Sequence, residues 1–327
     1  MRKGRALLSG AVPLVIDAHV HLVADGFLHD RWWEGIGRLY AARRAARGKP
    51  IDGSPLEAAK VTARTRFFDP DGTALLAKMD AAGVDASVLL ALDYGLLTGE
   101  PATPIIEQND LVLALAQRHP GRILPVFTID PRRPGAFEAF RNAADAGMRG
   151  LKFHCSAGFY PHDEVCRPFY ALAQERRLPI LLHTGNQPGP CKARFTTPEH
   201  VDDVAAEFPD LTIVCAHLAH AWHEQLLSLA SVKPNIAVDF SGWQAAFARE
   251  PAHVLAILRR FVDELGAHRV MWGSDGPYLD LVMSLAGWKD GFERVARAAG
   301  FTDAELATLL GGAAAAIYGA RTEAIAG

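Results

Sequence analysis

Five short stretches of this 327-residue chain end in side chains that can hold a metal ion or move a proton. The first, Leu14-Val15-Ile16-Asp17-Ala18-His19-Val20-His21-Leu22, is an apolar run closing on two histidines and reads as a buried strand. Residues i and i+2 of a strand point to the same side, so His19 and His21 can converge on one ion. Imidazole is a usual ligand of Zn, Fe, Ni or Cu. His-x-His alone also arises by chance, so its weight depends on where the other candidates fall. Lys152 and His154 close Gly150–His154, His183 closes Pro179–His183, His217 closes Leu211–His217, and Asp275 closes Arg269–Asp275. Taken singly, a histidine at a strand end is an ordinary hydrogen-bonded loop residue, and an aspartate in Gly-Ser-Asp-Gly-Pro is a turn former. Chance explains their conjunction poorly, because all would lie on one rim. Together they describe a metal site with groups for proton transfer beside it.

The elements that must position these residues alternate regularly. Further β-rich runs at Val84–Leu90, Ile123–Thr128 and Ile236–Phe240 bring the strand count to eight, each followed by a helical pattern. Strand starts lie near the ~30 residues of a βαβ unit. Eight such units predict an α/β chain folded as a (β/α)8 barrel, with its chemistry at the C-terminal strand ends. No Gly-x-Gly-x-x-Gly follows the first strand, which counts against a dinucleotide fold. Residues 25–69 hold two helical stretches around a Gly/Pro-containing segment, Gly48–Pro55. They read as an insertion in the first βα loop, a lid or rim on the catalytic face of a single barrel domain over residues 1–327. Asp69-Pro70-Asp71-Gly72 marks the start of a helix over Thr73–Ala82.

Composition narrows the function classes. Half the residues are hydrophobic and the net charge is -3, so nothing points to nucleic acid or an acidic membrane as partner. The four cysteines, Cys155, Cys166, Cys191 and Cys215, show no C-x-x-C spacing, and a reducing, cytoplasmic setting is expected. The opening Met1–Gly10 has the positive charge of a signal peptide, but Pro13 and Asp17 soon cut its apolar run. No stretch reaches the ~18 apolar residues of a membrane span.

The stretches Asp17–His21, Gly150–His154, Leu182-His183-Thr184-Gly185, Ala216-His217-Leu218 and Trp272-Gly273-Ser274-Asp275-Gly276-Pro277 carry a family resemblance. In order and spacing the chain resembles the amidohydrolase superfamily, in its amidohydrolase-related (ACMSD-like) branch of metal-dependent hydrolases and decarboxylases. The ending Leu309–Tyr318 is similar to that branch's closing helix, with Ala-Ala where Asn-Ala is usual. The resemblance implies that His19, His21, His183 and Asp275 hold one divalent ion, zinc or else Mn2+, Fe2+ or Co2+. It implies that His217 activates the bound water or protonates the substrate, with Asp275 able to take the water's proton. In binuclear members a lysine at the position of Lys152 is carboxylated and bridges two metals. Lys152 is equally read as a free cation that pairs with a substrate carboxylate.

The expected activity is hydrolysis of an amide, ester or lactone of a small molecule, an anionic one among the options. The alternatives are non-oxidative decarboxylation of a small aromatic or unsaturated acid and, from a different class, a binding barrel without catalysis. Homodimers are common for such barrels. His154 faces the site or makes a loop hydrogen bond; Asp239 and Trp243 are placed to line the mouth, with loop packing the alternative for Trp243. His220 and His223 stack on one face if a helix begins after His217; one could reach the pocket, but surface positions are the simpler reading. Trp32 and Trp33 cap an apolar substrate or anchor the insertion. Arg31, Arg38, Arg43, Arg44 and Arg47 form a solvated basic face, although one arginine could bind a substrate carboxylate, as could Lys192 or Arg194.

Overall fold

The computed structural model describes residues 13–320, so the opening Met1–Gly10 lies outside the described residues. The strands are β1 (Ile16–His21), β2 (Ala86–Leu90), β3 (Ile123–Thr128), β4 (Leu151–Phe153), β5 (Ile180–Leu182), β6 (Ile213–Cys215), β7 (Ile236–Phe240) and β8 (Val270–Trp272). They pair in chain order, every neighbour parallel. Two backbone bonds draw the loop after β8 onto β1 and nearly close the barrel: His21 N to Gly276 O at 2.8 Å and Asp275 N to His19 O at 2.9 Å. Among the described residues, no helix is long and apolar enough to cross a membrane.

Strict alternation along β1 would put Ile16 and Ala18 on one face and His19 and His21 on the other. The pairing with β2 slips between Asp17 and Val20, where β1 carries one residue more than its partner. Ile16 and Ala18 therefore join the barrel interior with Val88, Leu90, Val126 and Leu181, while the two histidines still turn into its mouth. A larger apolar layer packs between the strands and the surrounding helices.

Three helices separate β1 from β2: α1 (Asp30–Ala45), α2 (Pro55–Arg66) and α3 (Thr73–Ala82), the last spanning the residues predicted from the turn before it. The helices α1 and α2 occupy the stretch read as the insertion, and they pack on each other closely. A Cβ on Gly37 would lie 2.0 Å from Pro55 O. The same helix touches the barrel: a Cβ on Gly35 would lie 1.6 Å from Gly189 O in the loop after β5. Trp32 and Trp33 are buried, whereas Arg31, Arg38, Arg43 and Arg47 are exposed. At the other end the chain closes with a π-helical turn, Thr308–Gly312, and a short helix, Ala313–Tyr318. Ala313, Ala314 and Tyr318 plug the base of the barrel interior.

Candidate active site

Strands β4, β5, β6 and β8 end one to three residues before the chemistry-bearing side chains read from the sequence as their last residues. His154, His183, His217 and Asp275 sit just past the strands, where the backbone can bend each side chain inward. Asp275 has φ 55 and His217 φ 61, both left-handed. Non-glycine residues held there cost energy and mark sites where packing over-determines the backbone. His217, Leu218, Ala219 and His220 form an unbroken left-handed run, so no helix begins there. The run folds His220 back over His217, ring to ring at 5.1 Å and 4°. Gly185 and Gly242 make room for it: a Cβ on either would lie 2.5 Å or 3.1 Å from the His220 ring. His220 thus lines the site, and His223 stays beside it, against Trp243.

At the centre, ligand-capable atoms of His19, His21 and Asp275 all lie within 4.8 Å of one another. His21 Nε2 is 3.2 Å and His19 Nε2 3.9 Å from Asp275 Oδ1. His183 stands next to this trio across His217, its Nδ1 3.3 Å from His217 Nε2. Several buried nitrogens here have no hydrogen-bond partner: His19 Nε2, His21 Nδ1, His183 Nε2, His154 Nδ1 and Lys152 Nζ. Buried polar atoms are rarely left so. Imidazole lone pairs and one carboxylate, clustered and otherwise unpaired, are a donor set that fits a divalent ion.

Beneath them lies a buried carboxylate whose role the sequence reading missed. Asp239 lies in β7, one residue before its end, and its Oδ2 accepts from His19 Nδ1 at 2.9 Å. Its Oδ1 accepts from the backbone N–H of His217 at 3.0 Å and of Ser241 at 3.1 Å, and also from the Ser241 hydroxyl. An ionised carboxylate only accepts, so Ser241 Oγ–H points at Asp239. Ser241 Oγ, 2.8 Å from His217 Nδ1, must then accept from that nitrogen. This relay leaves the lone pair of His217 on Nε2, the atom that lies 3.3 Å from His183 Nδ1. By the same logic His19 carries its proton on Nδ1 and offers Nε2. Asp17 plays a comparable part at the barrel seam, accepting from Ser274 N at 2.8 Å and His19 N at 3.3 Å. The i, i+2 spacing of Asp239 and Ser241 was the available signal.

Burial also sets the charge of the groups around the centre. Burial lowers His21 to about 4 and drives His154, His183 and His217 well below the usual histidine range, so the rings are neutral. Burial alone would raise both carboxyls. His19 instead holds Asp239, and His217 with His21 holds Asp275, well below the ordinary range. Burial brings Lys152 down to about 8 against the pull of Asp239 and Asp275, and raises Asp17 to about 7.

His154 is buried, with its ring 6.1 Å from His21 and 4.9 Å from Tyr94. Trp243 donates its indole N–H to His217 O at 2.8 Å, holding the strained turn from behind. Lys192 and Arg194 are exposed. Tyr94, Gln187 and Ser156, none singled out from sequence, hydrogen-bond together beside His154; Tyr94 and Gln187 approach to 2.7 Å.

A model of the amidohydrolase family matches residues 16–320. The chain belongs to the amidohydrolase family. It is an enzyme of that superfamily, as the ordered motifs implied. The protein fluG of Emericella nidulans is 25% identical over 119 residues, which make up 36% of this chain and only 14% of that protein. Two solved barrels align along nearly the whole chain. An amidohydrolase from Burkholderia multivorans with bound zinc has a TM-score of 0.67 and 19% identity, covering 94% of this chain and 100% of that one. The 5-carboxyvanillate decarboxylase of Novosphingobium aromaticivorans, complexed with manganese and 4-hydroxy-3-methoxy-5-nitrobenzoic acid, has a TM-score of 0.64 and 19% identity, covering 94% and 96%. At these identities the two structures establish the shared fold.

Proposed function

We propose that this protein is a metal-dependent hydrolase that cleaves an amide, ester or lactone bond of a small molecule. The ion would be held by His19, His21, His183 and Asp275; zinc suits these donors, and Mn2+, Fe2+ or Co2+ would fit them too. When bound, the ion supplies positive charge that polarises the scissile carbonyl and makes water a better nucleophile. The observation that carries the reading is the proton relay from Asp239 through Ser241, which fixes the His217 lone pair on Nε2. A neutral imidazole so held is a general base: Nε2 takes a proton from the attacking water and later returns it to the leaving oxygen or nitrogen. Decarboxylation asks the opposite of this residue, a proton in hand to deliver to carbon. Asp239 keeps His19 in the tautomer that offers Nε2 to the ion. Lys152, unmodified, meets an anionic group of the substrate.

Decarboxylation of an aromatic acid is the second reading. It is favoured by the unpartnered Lys152 ammonium, by the aromatic ring of Tyr94 beside His154 and by the likeness to a carboxyvanillate decarboxylase. The test is a parallel screen of the zinc- and manganese-loaded protein on aryl esters, lactones and anilides, and on hydroxybenzoates with CO2 detection. Hydrolysis that disappears in His217→Ala while the metal is retained is the expected result. CO2 release without any hydrolysis would overturn the proposal in favour of the second reading.

A further inference from the structure

The proposed metal centre is almost closed to solvent. His19, His21 and His183 are buried, as are Lys152, His154 and His217, and Asp275 is partly accessible. A small molecule reaches such a centre only where part of the rim gives way. A cleft of about 480 Å³ lies between α1 and the loop after β5, lined by Arg31, Glu34 and Arg38 on one side and Pro188, Gly189 and Pro190 on the other. That is the volume of a small-ligand site. Among the described residues no ion pair crosses the cleft. Arg38 pairs with Glu34 on its own helix at 2.5 Å, which leaves Arg31 as the uncompensated charge. The two sides touch where Gly189 O approaches Gly35, a contact that only the missing Cβ of Gly35 permits. Behind the cleft, the neighbouring residues of both sides meet on one side chain. Trp32 stacks on Tyr94 at 4.3 Å and 13°, and Gln187 hydrogen-bonds to the Tyr94 hydroxyl at 2.7 Å. The Tyr94 ring lies 4.9 Å from that of His154, and His154 lies 6.1 Å from His21. A short series of contacts thus leads from the cleft to a ligand of the ion.

We propose that this cleft is the entrance of the substrate, that the Gln187–Tyr94 bond closes it, and that Arg31 draws small organic anions into it. The moving part is the loop, since α1 is anchored by buried Trp32 and Trp33, the latter against Phe68. A bond between two neutral side chains suits a closure, because it is worth little net and its partners meet water when it opens. Charge selects the ligand. Two arginines against one glutamate give the cleft a net positive charge on a chain whose own net charge is -3. A concave site of one sign concentrates ligands of the other and raises their on-rate. The unpartnered Lys152 Nζ at the centre has the same sign, so entrance and destination favour the same anions. The insertion thereby gains a defined role as one wall of the entrance. This deepens the proposed function and rests on its placement of the ion and of an anionic substrate group at Lys152.

The test follows the removal of zinc from the loaded protein by two small aromatic chelators, dipicolinate, a dianion, and 1,10-phenanthroline, which is neutral. A Cβ at Gly189 meets open space, so Gly189→Trp can plug the cleft without disturbing the fold, and Gly189→Ala is its control. In wild type the removal rate should rise with the concentration of either chelator. Gly189→Trp should slow both by about 10-fold, and Gly189→Ala should stay within about twofold of wild type. Arg31→Gln should slow dipicolinate by roughly 3- to 10-fold at low salt, with the difference lost at high salt and phenanthroline unaffected. Gln187→Leu should speed both chelators at unchanged zinc affinity. Rates that ignore the plug would overturn the entrance. So would an equal effect of Arg31→Gln on both chelators, no effect on either, or a removal rate independent of chelator concentration. Unchanged rates in Gln187→Leu would overturn its role as the closure. A protein that takes up no zinc would fail the proposed function at loading, before any chelator is added, and the entrance with it. The expected chelator rates without hydrolysis in the substrate screen would leave the entrance standing and remove the hydrolase reading alone.

Discussion

Asp239→Asn separates the buried relay from ordinary packing, because the amide keeps the shape of the carboxylate and loses half its acceptors. In the native site Oδ2 accepts one bond, from His19 Nδ1 at 2.9 Å, while Oδ1 accepts from His217 N, Ser241 N and Ser241 Oγ. If the amide oxygen takes the Oδ1 place, its NH2 faces the His19 Nδ1–H. His19 then has to move its proton to Nε2, the atom the ion requires. If the oxygen turns to His19 instead, the NH2 meets three donors and the His217 turn loses its anchor. Supporting carboxylates of this kind are worth roughly 10- to 100-fold in metal affinity, about 1.4–2.8 kcal/mol. Charge-assisted bonds are also stronger than neutral ones by roughly a factor of two, so the ligand-free variant should melt lower than wild type. Zinc affinity is read by competition with a chromophoric chelator, and stability by calorimetry of the ligand-free protein. An Asn variant that binds zinc within twofold of wild type and keeps its turnover would refute the tautomer assignment of His19 and the mechanism built on it.

Other expected outcomes follow from the same structure. His217→Ala should retain the metal by elemental analysis and lose roughly 10²- to 10⁴-fold in kcat. Ser241→Ala, which removes the acceptor for His217 Nδ1–H, should lower kcat with little change in zinc affinity. Lys152→Met should bind as many ions per chain as wild type and lose affinity selectively for anionic ligands; a drop from two ions to one would show that Lys152 is carboxylated. Gly311→Ala would place a Cβ 1.9 Å from Leu14 O at the base of the barrel, a backbone contact with no side chain able to yield. It should destabilise by about 1–3 kcal/mol in urea unfolding while leaving the metal site intact.

The eight strands were legible because each is short, apolar and followed by a helical pattern. His19 and His21 stood out because strand periodicity predicts their convergence. Periodicity did not show that β1 needs an extra residue to bring Ile16, Ala18 and both histidines to the same side. The turn after β6 escaped for another reason. Four consecutive non-glycine residues with positive φ run against local preference, so Ala-His-Leu-Ala-His reads as a helix start, and His220 was expected at the surface. Only its stacking on His217 and the room left by Gly185 and Gly242 hold it at the site. Asp239 takes its meaning from a partner 220 residues away, His19, and no local pattern encodes such a pairing. Trp32 and Trp33 carried both readings from the start. The structure buries both, with Trp32 stacked on Tyr94 and Trp33 against Phe68.

The most direct measurement is the metal content of the purified protein by elemental analysis, for wild type and His183→Ala, before and after loading with zinc. About one divalent ion per wild-type chain, lost in a variant that remains folded by circular dichroism, is the expected result. A folded wild-type protein that stays empty after loading would contradict a metal-dependent hydrolase at this site.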